Sequence, residues 1–350
     1  MSPERRVDLV SSLDELQEEW VRLAPESRNL FSTWEWASTW WGHYGAGHDP
    51  LVAACREGRD TVALLPLYLW SRRPARIARL IGHGPADQLG ALYASGAQAA
   101  AAEAVRQTAE QADLDLVLME LLSGRESWQD LLRQEPLLRE SSPTISLGAG
   151  WEPYLAGRSP NLRQQIRRRE RQLDRRHAVR FRLATEPHRL QDDLTLLYTL
   201  HRARWGARSA FSRFEDFHRD FAAVALERGW LRLWFLELDE RPAAGWYGFR
   251  FAGVESYYQA GRDPAFRDDS VGFVLLAHSI RQAAEDGVVE YRLLRGAEPF
   301  KLRFADADPG VETFAPARGV AGRAARSAAA LGLRSATVRS ALRRFGRSGD

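Results

Sequence analysis

The sequence predicts an α/β protein, in detail an α+β arrangement, of two tandem domains that each contain a mixed, largely antiparallel sheet flanked by helices. The chain of 350 residues is long enough for two ordinary domains. Apolar residues make up 45% of it, which is sufficient for two packed cores. The same order of predicted strands and helices occurs in both halves, without a residue-level repeat, and this indicates duplication of one domain type.

The C-terminal half shows the order of elements most clearly. A strand with alternating apolar and arginine residues is followed by two helical segments. Three apolar segments separated by short turns then predict an antiparallel meander, after which a loop, a helix and a last strand follow. These elements are the strand 179–183, the helices 189–204 and 214–227, the meander 230–238, 243–251 and 254–260, the helix 271–285 and the strand 288–294.

The N-terminal half repeats this order with shorter segments. The predicted strands are 7–10, 51–55, 61–70, 77–81 and 115–121, and the predicted helices are 13–23, 34–44 and 96–111. We therefore divide the chain into an N-terminal domain at 1–150, an arginine-rich connecting helix at 151–178, a C-terminal catalytic domain at 179–312 and a basic tail at 313–350.

Several features bear on the compartment. No apolar run approaches the roughly 20 residues that a membrane span needs, and residues 1–10 are charged and lack the apolar core of a signal peptide. Cys55 is the only cysteine, so no intrachain disulfide is possible, which fits a reducing compartment. We expect a cytoplasmic protein, and the arginine-rich segments leave open a peripheral position at the inner face of the membrane.

Basic residues are unevenly distributed. Seven arginines fall within 162–176, and eight fall within 315–349, where no acidic residue occurs. Such segments favour a polyanionic partner, either RNA, an anionic lipid surface or an acidic glycan. The alternative is a solvated helix face, since Glu170 and Asp174 lie among the arginines and offer local ion pairs. Lys301 is the only lysine of the chain.

A three-strand meander followed by a loop, a helix and a further strand is the arrangement of the GNAT acetyltransferases. In that fold the fourth and fifth strands diverge, and strand N–H groups become available to hold a pantetheine arm and polarise a thioester carbonyl. The following helix directs its N-terminus at the coenzyme A pyrophosphate, because helix N-termini bind anions. On this basis the predicted cofactor-binding residues are Gln259, Gly261, Arg267, Ser270 as the helix cap and Gly272.

Local motifs sharpen this comparison. Residues 257–266 (YYQAGRDPAF), 270–272 (SVG) and 295–301 (RGAEPFK), together with 31–36 (FSTWEW) and 82–87 (GHGPAD), resemble the BioF2-like or CelD-type acetyltransferases, which are related to the FemAB peptidoglycan-bridge transferases. The resemblance covers roughly residues 7 to 305. It implies a twin GNAT-like fold and transfer of an acyl group, acetyl first of all, from acetyl-CoA to an amine such as an amino sugar or a cell-envelope polysaccharide precursor.

Amine acyl transfer needs a base for the amine proton and an acid for the departing thiolate. Glu298, in a glycine-containing loop after the last strand, is the first base candidate, and Asp263 is the second, although Asp263 can equally set a turn. Tyr257 and Tyr258 point to opposite faces of their strand, and we assign the acid role to Tyr258. Arg295 and Lys301 are predicted to contact an anionic substrate group, and Asp87 to contact the substrate from the first domain.

The chain also departs from the resembled family. Arg292 stands where the family usually has aspartate, Ala297 stands where it often has another, and Phe300 replaces its tyrosine. Two further hypotheses stay open. The arginine-rich helix allows a FemAB-like transferase that takes aminoacyl groups from tRNA, and these departures allow a degenerate, non-catalytic binding protein of an envelope pathway. The eight histidines form no ligand-spaced set, so we predict no metal. The oligomeric state is not predicted.

Overall fold

The computed structural model describes residues 5–206 and 209–345, and the predicted alternation of strands and helices is present in both halves. Up to residue 140 the elements are β1 (Arg5–Val10), α1 (Gln17–Ser27), α2 (Trp34–Tyr44), β2 (Asp49–Glu57), β3 (Asp60–Ser71), β4 (Ile77–Leu80), β5 (Leu92–Tyr93), α3 (Gln98–Gln111), β6 (Leu116–Ser123), α4 (Trp128–Leu132) and β7 (Leu138–Glu140).

The remaining elements begin with a strand that the sequence analysis did not predict. They are β8 (Thr144–Ser146), α5 (Trp151–Ala156), α6 (Pro160–Arg176), β9 (Val179–Leu183), α7 (Leu190–Trp205), α8 (Ala210–Arg213), α9 (Glu215–Glu227), β10 (Leu231–Leu238), β11 (Arg241–Phe251), β12 (Val254–Arg262), a 3-10 helix (Pro264–Asp269), α10 (Val271–Glu285), β13 (Glu290–Arg292), α11 (Pro299–Phe304), β14 (Val311–Phe314) and α12 (Gly319–Phe345).

The chain forms two compact units whose boundaries differ from the predicted ranges. The first unit contains the chain up to Ser27, Phe31–Glu140 and the chain from Gly310 onward, and the second contains Arg28–Leu30 and Ser141–Pro309. The predicted N-terminal domain 1–150 therefore ends about ten residues too late, and the predicted connecting helix 151–178 is part of the second unit. The prediction of a separate basic tail at 313–350 is wrong, because the start of this segment belongs to β14 and most of its described remainder forms α12.

The first unit is built on one mixed sheet. Its strand order is β1-β2-β3-β4-β6-β14-β7, with β5 paired to β3 off this path. Only the β4–β6 pair is parallel among the described pairs of this sheet. β14 lies between β6 and β7, so a strand from the end of the chain completes the sheet that the N-terminal residues begin.

The second unit has a six-stranded sheet in the order β8-β13-β12-β11-β10-β9. β10, β11 and β12 form the predicted antiparallel meander, and β12 pairs with β13 in parallel. One face of this sheet, which includes Trp246, packs with α6 and α10 in a single apolar cluster. The opposite face carries Phe249, which contacts Phe221 of α9 with ring centroids 5.4 Å apart. Alternate strand residues thus enter two separate cores.

Among the described residues, no helix combines the length and the apolar character that crossing a membrane requires.

Candidate active site

The predicted divergence of two neighbouring strands is confirmed in the second unit. β12 and β13 pair only at the first residues of β12, where Val254 lies opposite Glu290 and Ser256 opposite Arg292. β12 continues to Arg262 and stays paired with β11 on its other side. From Tyr257 onward, no strand of the described chain pairs with the β13 side of β12. We call this open edge, residues 257–262, the β12 edge.

At the β12 edge, Ala260 and Arg262 direct their backbone N–H and carbonyl groups outward, away from β11. The Asp263 N–H donates to the Ala243 carbonyl of β11 at 2.9 Å. Because successive strand residues direct their backbone groups to opposite sides, Arg262 and Ala260 direct theirs away from β11. The Ala260 carbonyl accepts two hydrogen bonds of 3.2 Å, from His201 Nδ1 and Trp205 Nε1. The N–H groups of Ala260 and Arg262 are therefore presented at the divergence of the strands.

A β-bulge interrupts β12 at the start of this edge. Gln259 lies opposite Tyr247 and Tyr257 lies opposite Gly248, so Tyr258 is the extra residue. Bulges bend a strand and redirect its side chains, and they are common next to active sites. Here the bulge coincides with the point at which β13 leaves.

Tyr257 and Tyr258 point to opposite faces of the sheet, as predicted. Tyr258, the predicted acid, lies on the face away from Glu298. The Tyr258 hydroxyl bonds to His218 Nε2 at 3.2 Å within the aromatic core beside α9. Tyr257 stacks on Trp246 with ring centroids 5.9 Å apart, and its ring approaches Phe300 at 6.2 Å. Tyr257 is therefore the tyrosine on the side of Glu298.

Arg204, at the C-terminal end of α7, forms a polar cluster with Tyr257 and Glu298 that was not predicted from the sequence. The positive charge of its guanidinium acts on the Tyr257 hydroxyl, and the Glu298 carboxylate interacts electrostatically with both side chains. Burial raises the pKa of Tyr257 to about 12, and the charge of Arg204 opposes that rise. The hydroxyl is consequently protonated at neutral pH. No sequence signal singles out Arg204, because arginine near a helix C-terminus is common.

Glu298 is fixed in place by the loop that carries it. It precedes the short helix α11, which begins with Pro299. Gly296 has φ +123°, and a Cβ there would lie 2.2 Å from Glu298 Oε2. The absent side chain of Gly296 therefore provides the space that the Glu298 carboxylate occupies.

Lys301 holds this loop from within. The residue is only 6% exposed, and its ammonium donates to the Arg295 carbonyl at 2.6 Å and forms an ion pair with Glu298 Oε2 at 3.2 Å. These contacts direct the ammonium into the protein, so the geometry supports a positioning role for Lys301 more than the predicted substrate contact. Arg295 is half-buried beside it.

Replacing Lys301 by methionine should lower the free energy of unfolding by about 2 kcal/mol, because a buried carbonyl loses its donor and Glu298 loses its counter-charge. Chemical denaturation monitored by tryptophan fluorescence measures this. Arg303→Met, on the exposed side of the same helix, is the matched control and should change stability by less than about 0.5 kcal/mol. Equal stability of wild type and Lys301→Met would contradict the positioning role.

Two buried histidines flank the β12 edge and link stability to pH. Burial lowers the pKa of His201 to about 4 and that of His218 to about 3. Both are neutral in the native state but take up protons when unfolded, below a pKa of about 6.5. The contribution of these two histidines to the free energy of unfolding is therefore fully present above about pH 6.5 and decreases as the pH falls below it. Each histidine should reduce the free energy of unfolding by about 1 kcal/mol between pH 6.5 and 5.5.

Denaturation curves at a series of pH values test this dependence. His201→Gln retains hydrogen-bonding capacity and removes one titrating group, so its stability should fall less steeply with acid than that of the wild type. A stability that stays constant from pH 7 to 5 would contradict the assignment of neutral, buried histidines.

The start of α10 differs from the predicted cap. Ser270 occupies the N-cap position, but its φ of +55° is left-handed and its side chain makes no cap hydrogen bond, so the predicted hydroxyl cap is wrong. Its carbonyl accepts from Phe273 and Val274 instead. A Cβ built on Gly272 meets nothing within 4 Å, so the space beside the first turn is open. The first N–H groups of a helix lack intrahelical acceptors and favour anions.

Two arginines share one aromatic ring in that first turn. The guanidinium carbons of Arg169 and Arg303 lie 4.7 Å and 5.8 Å from the centroid of Phe273. Burial lowers the pKa of Arg169, and Arg303 adds to that decrease by like-charge repulsion. Two cations that repel each other beside a helix N-terminus favour binding of an anion. Arg267, the arginine predicted for this role, is exposed on the preceding 3-10 helix.

The other predicted residues have mainly structural contacts. Asp263 caps the 3-10 helix by accepting from the Ala265 N–H at 2.9 Å, which is the turn role that the sequence left open. A Cβ on Gly261 would lie 2.2 Å from the His201 backbone nitrogen, so Gly261 is needed for the close approach of α7 to β12. Gln259 is half-buried in β12. Asp87 lies half-buried in the first unit, after β4.

The departures from the resembled family fit their surroundings. Arg292 forms an ion pair with Glu290 at 2.8 Å, which balances the charge introduced in place of the family's aspartate. Phe300 packs against the core beside Tyr257, and Ala297 is exposed. None of the three removes the Glu298 carboxylate from the site. In the described residues no group of histidine, cysteine, aspartate and glutamate side chains is arranged to hold a metal ion.

The arginine-rich helix α6 is amphipathic. Ser159 caps it by accepting from the Leu162 N–H, and Leu162, Ile166 and Leu173 are buried in the core. Part of its charge is balanced inside the unit, since Glu170 pairs with Arg281. A groove of about 350 Å³ on its outer side is lined by Pro160, Arg163, Gln164, Arg167 and Arg171.

Comparison with known proteins agrees with this geometry. Residues 160–302 match the family model described as Acetyltransferase (GNAT) domain. A comparison with curated protein sequences finds no match.

Similar solved structures share the fold at low sequence identity. FemX has a TM-score of 0.63 and 10% identity over 89% of this chain and 95% of that chain. The C-terminal domain (DUF2156) of a proposed lysylphosphatidylglycerol synthetase from Agrobacterium fabrum has a TM-score of 0.61 and 14% identity, over 93% of this chain and 97% of that chain. L-PGS from Bacillus licheniformis has a TM-score of 0.53 and 12% identity, over 88% of this chain and 92% of that chain. At these identities the likeness concerns the fold alone.

Proposed function

We propose that the acetyltransferase (GNAT) domain of this chain transfers an acyl group, acetyl in the simplest case, from coenzyme A to an amine. The observation that supports this most strongly is the β12 edge, which extends to Arg262 after β13 has separated. A strand edge with outward N–H groups can bind the amide groups of an extended pantetheine chain as a further strand would. The same donors can polarise a carbonyl oxygen.

The anionic end of such a donor has a fitting site at the start of α10. The N-terminus of this helix is open beside Gly272, and Arg169 and Arg303 lie together at Phe273. Backbone N–H groups and guanidinium groups are the usual protein contacts of phosphates. We propose that these residues bind the phosphates of the donor.

Glu298 and Tyr257 supply the proton transfers. The amine nitrogen attacks the thioester carbonyl, the C–N bond forms and the C–S bond breaks. Glu298 accepts the proton that the amine loses, directly or through one water, and the Tyr257 hydroxyl donates a proton to the departing sulfur. The positive charge of Arg204, which opposes the rise in the pKa of Tyr257, stabilises the tyrosine's transient negative charge. No covalent enzyme intermediate is needed.

The acceptor class rests on the resemblance to BioF2-like acetyltransferases. We propose an amine of an amino sugar or of a cell-envelope polysaccharide precursor. Arg295 and Asp87 remain predicted contacts of this acceptor.

A second candidate is aminoacyl transfer from tRNA. The arginines that line the groove on α6, Arg163, Arg167 and Arg171, favour it, since three cations one turn apart suit a phosphate backbone. The likeness to FemX is compatible with it as a matter of fold. The two candidates use the same transfer site and differ in the donor.

Isothermal titration of the protein with acetyl-CoA tests the donor. The double variant Arg169→Ala, Arg303→Ala should raise the Kd about ten- to thirty-fold, since two solvent-screened contacts to phosphate are lost and each contributes up to about 1 kcal/mol. The control is Arg175→Ala, which removes an exposed arginine from α6, the helix that also carries Arg169. It should leave the Kd within about two-fold of the wild-type value.

The outcomes separate the alternatives. If acetyl-CoA does not bind the wild type but tRNA does, with an affinity that falls steeply with salt and is reduced in Arg167→Ala, the donor is aminoacyl-tRNA. If neither ligand binds, the proposal of a catalytic protein fails and the degenerate binding protein gains support.

A further inference from the structure

The last helix of the first unit, α12, has one face that packs against the protein. Gly322 is buried, and a Cβ there would lie 2.2 Å from the Asp115 carbonyl oxygen. Ala325 packs against a small apolar cluster that contains Leu116 and Leu118. These contacts determine which side of the helix faces the unit.

The opposite face of α12 carries exposed apolar side chains. Val320 is 76% exposed and Leu331 is 72% exposed, the two most exposed large apolar residues in the described chain. Eleven residues of α-helix make about three turns, so both lie on one side, roughly opposite Gly322 and Ala325. In the sequence, apolar residues recur with the same helical spacing at Val338.

The segment is also strongly basic. Residues 313–349 contain no aspartate or glutamate. Arg323 is exposed and Arg326 is half-buried. The arginines of the segment are Arg318, Arg323, Arg326, Arg334, Arg339, Arg343, Arg344 and Arg347.

We propose that α12 docks the protein on an anionic lipid surface, lying in the plane of the headgroups with its Val320–Leu331 face toward the acyl chains. An apolar stripe flanked by arginines is the pattern of interfacial helices. Each arginine near such a surface contributes about 1 kcal/mol. The proposal rests on this helix alone and is independent of the acyl-transfer chemistry.

Other occupants fit these observations less well. A second copy of the chain would bring two segments of eight arginines together, which like-charge repulsion opposes. RNA would use the arginines but would leave Val320 and Leu331 in water. A lipid surface uses both the charge and the apolar face.

Cosedimentation of the full chain with vesicles tests the proposal. The lipids are phosphatidylcholine alone and a phosphatidylcholine–phosphatidylglycerol mixture, each at low and high salt. We expect binding to the anionic vesicles at least about ten-fold tighter than to the neutral ones, and weakening with salt. The double variant Val320→Ser, Leu331→Ser should bind anionic vesicles about ten-fold more weakly.

A matched control separates docking from general surface hydrophobicity. Val21→Ser, Val289→Ser removes two apolar side chains of 47% and 44% exposure that lie outside α12 and should leave vesicle binding unchanged. The proposal is overturned if the wild type does not bind anionic vesicles at low salt, or if the control loses as much affinity as the α12 variant. It is also overturned if only RNA binds, or if Val320→Ser, Leu331→Ser dissociates a dimer of a protein that ignores vesicles.

Discussion

Replacing Glu298 by glutamine should lower kcat roughly 100- to 1,000-fold, because a positioned general base contributes about this much to amine acyl transfer. Glutamine keeps the size of the side chain and an oxygen that can accept from Lys301, so the loop should stay in place. KM for acetyl-CoA should change little, since Glu298 acts on the amine and the donor phosphates are proposed to lie at α10.

The measurement follows thiol release from acetyl-CoA with the most reactive amine from a panel of amino sugars. The deficit should shrink as the pH approaches the pKa of the amine, where a neutral amine no longer needs a base. Glu285→Gln, an exposed glutamate near the end of α10, should retain full activity. A kcat within about three-fold of wild type in Glu298→Gln would remove Glu298 from the mechanism.

Two glycines of the candidate site should respond in opposite ways to alanine. In Gly261→Ala the new methyl group would lie 2.2 Å from the His201 nitrogen and 2.3 Å from the Leu200 carbonyl carbon, both backbone atoms that cannot rotate away. We expect the free energy of unfolding to fall by about 3 kcal/mol. Gly272→Ala meets open space and places a better helix former in α10, so its stability should be equal or slightly higher.

Ligand binding should show the reverse order of sensitivity. Gly272→Ala should weaken acetyl-CoA binding about ten-fold, because its methyl group takes the space beside the first turn of α10 where a phosphate would approach. Thermal unfolding and titration calorimetry on the two variants measure both effects. A stable Gly261→Ala would contradict the close contact of α7 and β12, and an unchanged acetyl-CoA affinity in Gly272→Ala would place the phosphates elsewhere.

The features that the sequence predicted well depend on periodicity. The meander and the helix Val271–Glu285 follow from alternating or helical apolar patterns, which reflect burial directly. The separation of the fourth and fifth strands was expected from the resemblance of this order of elements to the GNAT fold. The opposite orientation of Tyr257 and Tyr258 follows from the geometry of any strand. Glu298 was identified because it follows the last strand, where a loop must meet the edge of the sheet.

The features that the sequence did not predict depend on contacts between distant residues. Arg204 reaches Tyr257 from the end of another helix, and no local pattern indicates that pairing. Lys301 is unusual in the sequence, but its burial against Arg295 and Glu298 depends on the folded loop. β8 and β14 have three and four residues, which is too short for periodicity to distinguish them from loops.

The position of β14 has a consequence for biosynthesis. β7 is joined to the first unit's sheet through β14, and β14 is translated only after the whole second unit. The N-terminal 140 residues therefore leave the ribosome with an incomplete sheet, and β6 keeps an unpaired edge until residues 311–314 appear. Such edges invite pairing with other chains. The second unit, by contrast, has all six of its strands once residue 292 has been made, so it is the half of the molecule that can close first.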